Sequence, residues 1–357
     1  GIEDFTALTE LWCHYNELTT LDLSANTALT DLRCDHNEYL TGLDVSSNTA
    51  LVRLDFFDCP SATSLNVTGL TNLTELRCGS NSITTLDVSS NADLSILTCE
   101  YNQLTSLDVS ANTALTLLIC HDNQLTSLDV SNNTAIIEIQ CRNNQLTSLD
   151  VSGATALTYL GGHSNQLTTL DVISNTALTQ LICHTNQLTS LDLSANTDLT
   201  YLHSDGNPLT SLDVSANTSL TILSCNNNQL TNLDVSNNTA LTGLWCDSNQ
   251  LTNLDLSANT ALTQLDLAGN QLTYLNMKNG VTSAYTGFRV TNNSLTCIET
   301  LDPDYATANW TLANENIDAG VTFDVICGAE ARTHWYVAIT GSDNSGSGTV
   351  ASPLSSI

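Results

Sequence analysis

The chain has 357 residues, with 37 acidic side chains against seven lysines and arginines, and a net charge of −30. So acidic a surface offers no basic footprint for phosphates, which excludes nucleic acid as a partner and argues against an anionic membrane surface. No apolar run is long enough to span a bilayer, and twelve cysteines are too few for a dense disulfide scaffold.

The opening stretch, GIEDFTALTELWC, is already in the phase of a repeat and carries no signal peptide, so a leader and an N-terminal cap are expected upstream of it. From there the chain aligns to a 21-residue template, L-T-x-L-x-C-x-x-N-Q-L-T-x-L-D-V-S-x-N-T-A, in fourteen turns. Their sixth positions are Cys13, Cys34, Phe56, Cys78, Cys99, Cys120, Cys141, Gly162, Cys183, Ser204, Cys225, Cys246, Leu267 and Val290. Turns two and three each carry one extra residue. The half-template L-x-x-L-x-C-x-x-N-x-L is the leucine-rich-repeat signature. The expected fold is therefore mainly β: a curved solenoid over residues 1–291, with a parallel sheet on its concave face. At about 4.8 Å per turn, thirteen intervals give a rod on the order of 60 Å long. Alternation along LTLLICHDN points Leu118 and Cys120 inward, and Leu117, Ile119 and His121 outward.

Nine cysteines share the inward sixth position: Cys13, Cys34, Cys78, Cys99, Cys120, Cys141, Cys183, Cys225 and Cys246. Adjacent side chains in a parallel ladder point the same way, which disfavours bridging them. A line of thiols is also not a tetrahedral zinc site, and buried thiols without nearby cations are not reactive. They are expected to be free thiols packed as small hydrophobes, since Phe56, Gly162, Ser204, Leu267 and Val290 replace them.

A ninth-position asparagine, filled once by Cys59, is expected to satisfy backbone groups at the bend. Eleven aspartates form a second column in the LDV segment. Either each accepts backbone N–H groups within its DVSxNT turn, or the column, Asp108, Asp129 and Asp150 among it, binds Ca²⁺. The segment lacks the glycine and terminal glutamate of a calcium loop, which favours capping. No other cofactor is implied.

With these columns assigned to the fold, function belongs to the variable third, fifth, seventh and eighth positions. Six of seven histidines and five of six arginines fall there. One group stands out: His121, Arg142, His163 and His184 at successive seventh positions, with Tyr159, Ile182, Tyr201, His203 and Trp245 around them. Gly161 and Gly162 leave one strand without side chains, so a shallow recess is expected, suited to sugar rings or acidic groups. A metal held by His163 and His184 lacks a third ligand. No catalytic constellation is present.

Residues 292–328 read as a C-terminal cap, with Cys297 and Cys327 expected to form a disulfide. Residues 329–357 read as a linker and the start of a further domain, with WYVAIT as its first strand.

The template with its cysteine ladder, over residues 1 to about 290, resembles the 21-residue repeats of internalin-type bacterial surface proteins. The resemblance implies secretion or surface display and ligand recognition through the concave face without catalysis. The tail WYVAITGSDNSGSGTVASPLSSI is similar to the opening strand of secreted parallel β-helix domains, some of them polysaccharide lyases. The function expected is a monomeric extracellular recognition or adhesion module for a polysaccharide or a surface protein. The alternatives are a spacer presenting a catalytic β-helix domain, and an ice-binding face built on Thr116, Thr158, Thr179, Thr200, Thr221, Thr242 and Thr263.

Overall fold

The computed structural model describes residues 1–328. The strand expected at 335–340 and the linker before it lie outside the described residues. Fourteen three-residue strands, from Glu10–Trp12 to Gly287–Arg289, form one sheet, one strand per turn in chain order. Every pairing is parallel and advances by whole repeats: Leu118 lies beside Ile139, which lies beside Leu160. A strand this short is not stable alone. Each turn buries its leucines only against the turns above and below it.

The opposite side carries further three-residue strands on some of the LDV segments, such as Ser127–Asp129 against Ser148–Asp150. The last such group runs Asn253–Asp255, Tyr274–Asn276, Cys297–Glu299 and Thr322–Asp324. The solenoid therefore extends past the boundary expected at residue 291. Leu295 and Ile298 are buried in the common core, because the fourteenth turn needs its second leg as every other turn does. The cap then adds a fifteenth, partial turn.

That cap closes the exposed end. Trp310 stacks on Phe288 with centroids 4.0 Å apart, covering the final core layer. The Asn316 carbonyl accepts the Val290 N–H at 2.7 Å, and the Asp318 carboxylate accepts the N–H groups of Asn292 and Asn293. Backbone groups that a further turn would have paired are thus satisfied. Cys297 and Cys327 form a disulfide with Cα atoms 5.7 Å apart.

The polar columns bind turn to turn. Asn123 Nδ2 donates to the carbonyls of Cys99 in the preceding turn and of Cys120 and His121 in its own, while its Oδ1 accepts the Leu104 N–H at 2.9 Å. The pattern repeats along the stack. Cys59, the single replacement, sends its thiol toward the carbonyls of Cys34 and Phe57, a weaker version of the same bridge. A second asparagine column, in the NTA segment, is equally buried: Asn112 Nδ2 donates to Val88 and Asn91 of the preceding turn. The column threonines are spent too, Thr116 to Thr263 each donating to a backbone carbonyl of the turn before at 3.0 to 3.3 Å.

The bend after each concave strand needs one residue with positive φ. The eighth position supplies it in all fourteen turns, with glycine in only two, Gly206 and Gly269. Elsewhere the conformation is imposed on bulky residues such as Tyr15, Tyr101 and Thr185, at a cost of about 1 kcal/mol each. The inter-turn bonds of the adjacent asparagine hold it in place.

The cysteine ladder is buried and free of disulfides, except that Cys13 is only half-buried, because no described turn packs on its outer side. Burial pushes the thiols of Cys141 and Cys183 up to about 12 and that of Cys13 to about 11. These thiols therefore stay protonated and unreactive.

All eleven column aspartates accept the N–H of the residue two positions on, as in Asp108 to Ser110 and Asp150 to Ser152. Asn66 and Asn276, which fill two gaps, do the same. The serine hydroxyl and amide hold Asp108 and Asp150 below the usual carboxylate range. The capping alternative is the one seen. Among the described residues no group of three His, Cys, Asp or Glu side chains is placed to hold a metal ion.

Candidate functional site

The middle of the concave sheet, turns six to ten, carries most of the residues singled out from sequence. Three imidazoles stack along it. His163 and His184 lie 4.3 Å apart at 28°, and His184 and His203 lie 4.3 Å apart at 35°. His163 and His184 hold the same place on successive strands, whereas His203 lies in register with Ile182 and meets the His184 ring diagonally. Rings stacked face to face cannot also converge on one ion, so this is not a metal centre.

Their electrostatics differ along the run. Burial and the neighbouring charges of His184 and Arg142 push His163 down to about 4, and its Nδ1 has no hydrogen-bond partner. His184 is lowered by burial and by His203, and its Nδ1 meets Thr185 Oγ1 at 3.0 Å. The first two rings are therefore neutral at pH 7. His203 is anchored by Asp205, with Nε2 3.0 Å from Oδ2. Asp205 also accepts the Ser224 hydroxyl at 2.7 Å and the Asn226 N–H at 2.9 Å. These hydrogen bonds outweigh its burial and keep it ionised. The serine donates to the aspartate and not to the histidine, so this chain of contacts does not activate a nucleophile.

Arg142 reaches from the adjacent strand, its guanidinium donating to Gln140 Oε1 at 3.1 Å. Three expectations need correction. His121 does not face solvent: it is 6 % exposed, edge-on to Tyr101 and bonded to Asp122 at 2.8 Å. The glycine pair does not open a recess, because the Tyr159 ring folds across Gly161 and buries it. Gly162 faces the core, where a Cβ would meet Leu149 and the Cys141 sulfur at ordinary distance. Trp245 lies apart, two strands beyond His203, with its indole laid over Gly243. Tyr201, Ile182 and Tyr159 remain half-buried around the stack.

Sequence reasoning missed Asp205 as the anchor of His203. The available signal was a carboxylate two residues along the same strand, where alternation places both side chains on one face. The same reasoning placed Trp12, Tyr15, Arg33 and His36 at concave positions without foreseeing their contacts: Arg33 sits 4.8 Å over the Trp12 ring and Tyr15 stacks on His36 at 4.1 Å.

The chain matches no protein-family model and no curated protein. Among solved structures, the functional domain of InlJ from Listeria monocytogenes, which includes a cysteine ladder, is 37 % identical. That likeness covers 85 % of this chain and 71 % of the other, with a TM-score of 0.68. A leucine-rich-repeat protein of Leptospira interrogans is 23 % identical over 89 % of this chain and 85 % of its own, at a TM-score of 0.72. The internalin InlF of Listeria monocytogenes is 22 % identical over 80 % and 88 %, at 0.63. The last two share the fold. With the 21-residue turn, the asparagine bridges and the buried thiol column all in place, the chain belongs to the internalin-type leucine-rich-repeat proteins.

Proposed function

We propose that the chain is a non-catalytic recognition module, secreted or displayed on a bacterial surface, that takes a surface protein through its concave face. One observation carries this reading. The asparagine, threonine, aspartate and cysteine columns are spent on turn-to-turn bonds, turn capping and core packing, whereas every histidine and arginine among the described residues lies on the concave face, with Trp12, Tyr15, Phe57, Tyr101, Tyr159, Tyr201 and Trp245 beside them. The interaction-module character of internalin-type repeats agrees with it, and a disulfide in the cap suits an oxidising compartment. No helix among the described residues is long and apolar enough to cross a membrane. A polysaccharide is the second reading, favoured by the Tyr159 and Tyr201 rings beside the imidazole stack.

The test is an array of bacterial and host surface proteins and of polysaccharides, probed with the chain and with a Tyr159→Ala/His163→Ala/His184→Ala/Tyr201→Ala variant whose fold is checked by circular dichroism. Binding by the parent chain that the variant loses supports recognition at the stack and names the ligand class. Binding by neither sinks the reading and leaves the solenoid as a spacer.

A further inference from the structure

The concave face is chemically divided. Over turns one to five its third, fifth, seventh and eighth positions hold seven carboxylates, from Glu10 to Glu100, against three arginines. All three arginines are already engaged: Arg33 with Asp31 and the Trp12 ring, Arg53 and Arg77 both with Glu75. Of the remaining acids, Asp35 and Asp58 meet the two ring nitrogens of His36 at 2.8 and 3.4 Å, and Glu10, Asp55 and Glu100 have no basic side chain paired to them among the described residues. Burial and the adjacent Asp35 push the Asp55 carboxyl up, and burial does the same to Glu100, whose Oε2 has no partner. Large rings stand exposed among these acids, Trp12 at 58 %, Tyr15 at 70 % and Tyr101 at 52 %, with Arg33 over one face of Trp12 and His36 stacked on one face of Tyr15. Turns six to ten differ, with most of their polar groups neutral.

We infer that turns one to five are a docking surface for an arginine-rich segment of a protein partner, seated between the exposed rings and the carboxylates of Glu10, Asp55 and Glu100. This rests on the concave face being a recognition surface, and it names the chemistry of one part of the ligand. Charge complementarity sets the sign, because a surplus of carboxylates repels acidic glycans and anionic lipid. The rings select the head group. A guanidinium stacks flat on an indole or phenol while its fork of donors reaches a carboxylate, which an ammonium cannot do in one geometry. The Arg33–Trp12–Asp31 contact is the same arrangement made within the chain. A neutral sugar would use the rings but leave the carboxylates unanswered.

The probe is a fluorescent nonapeptide of alternating arginine and serine, with lysine–serine and glutamate–serine counterparts, read by anisotropy at low salt on the full chain. The arginine peptide is expected to bind more tightly than the lysine peptide, and the glutamate peptide not at all. Asp55→Asn/Glu100→Gln is expected to weaken it about tenfold and Trp12→Ala/Tyr15→Ala about fivefold. Asp129→Asn/Asp171→Asn on the opposite side, with the same loss of charge, is expected to change little. Equal arginine and lysine affinities, or equal losses from both carboxylate pairs, would mean general attraction to an acidic chain and overturn the inference. So would no binding. The Tyr159/His163/His184/Tyr201 variant separates the two readings: it should keep the arginine peptide even where array binding is lost.

Discussion

Asn123 shows what one side chain does in a repeat this short. Its amide bonds to three carbonyls and accepts one N–H, spanning two turns from a nearly dry position. Truncation strands these groups in the interior, where each unpaired one costs about 1–3 kcal/mol. Asn123→Ala is expected to lower unfolding stability by about 2–4 kcal/mol in urea titrations, whereas the exposed Gln124→Ala should lie within about 0.5 kcal/mol of the parent. The histidine stack makes a second prediction, in pH. His163 titrates near 4 in the fold against an ordinary value of 6.5. Below pH 6.5 the unfolded chain takes up a proton that the folded chain refuses until about 4, so stability falls across that window as pH drops. His163→Gln should flatten this part of the stability–pH curve. An unchanged curve would mean that the imidazole is better solvated than its half-buried position implies. Column aspartates such as Asp108 and Asp213 act lower: serine hydrogen bonds depress their carboxyls in the fold, so their contribution is present above the ordinary carboxylate range and lost as pH falls below it.

At the level of the element, the cap is the part with the fewest repeated contacts and the one covalent tie. Its disulfide closes a sequence separation of 30, a constraint worth about 3–4 kcal/mol on the unfolded chain. In Cys297→Ser/Cys327→Ser, limited proteolysis should cut first near the helix Pro303–Asn309, and the Phe288–Trp310 stack should loosen before the central turns melt. Thiol titration gives the complement. In the intact protein the ladder should react slowly, with half-buried Cys13 first, and ten thiols should appear on denaturation without reductant. Prompt reaction of the central cysteines would show a stack far looser than its burial indicates.

Across the whole molecule, the solenoid was legible because period and register are written fourteen times. A column of Leu, Asn or Cys averages away what any single residue leaves ambiguous, and the two-residue alternation then says which columns face in. The cap and the site are written once each, and there the reading weakened. The end of the repeat was placed at residue 291 because the template is last matched at Val290, although Leu295 and Ile298 carry the core onward. His121 obeys alternation, yet it is buried by a tyrosine one turn away and an aspartate beside it. The glycine recess failed because a ring two residues back had room to lie down. Side-chain direction depends on neighbours that a periodic pattern does not name. The positive φ at every eighth position escaped notice because residues as unlike as Tyr101, Asn143 and Thr185 occupy it; the constraint lies in the backbone, and the adjacent asparagine enforces it.

The in-register pairing of like on like has a consequence for how such a molecule changes over time. Excising one whole period, such as residues 211–231, joins Thr210 to Asn232 and puts Leu209 at the template place that Leu230 held, so the new neighbours meet as the old ones did. The shortened chain is expected to fold, to lose stability by about one turn's share, and to keep a cooperative transition; a cut of 10 residues would instead set every later column out of phase and collapse the stack. Slippage and recombination in the coding sequence therefore yield working molecules only in steps of 21 residues, and each step removes or adds one line of the recognition face while leaving the rest of its order intact. The extra residues in turns two and three interrupt that interchangeability near the N-terminal end, which fixes the arginine-facing acids at a constant place while the length of the remainder is free to drift.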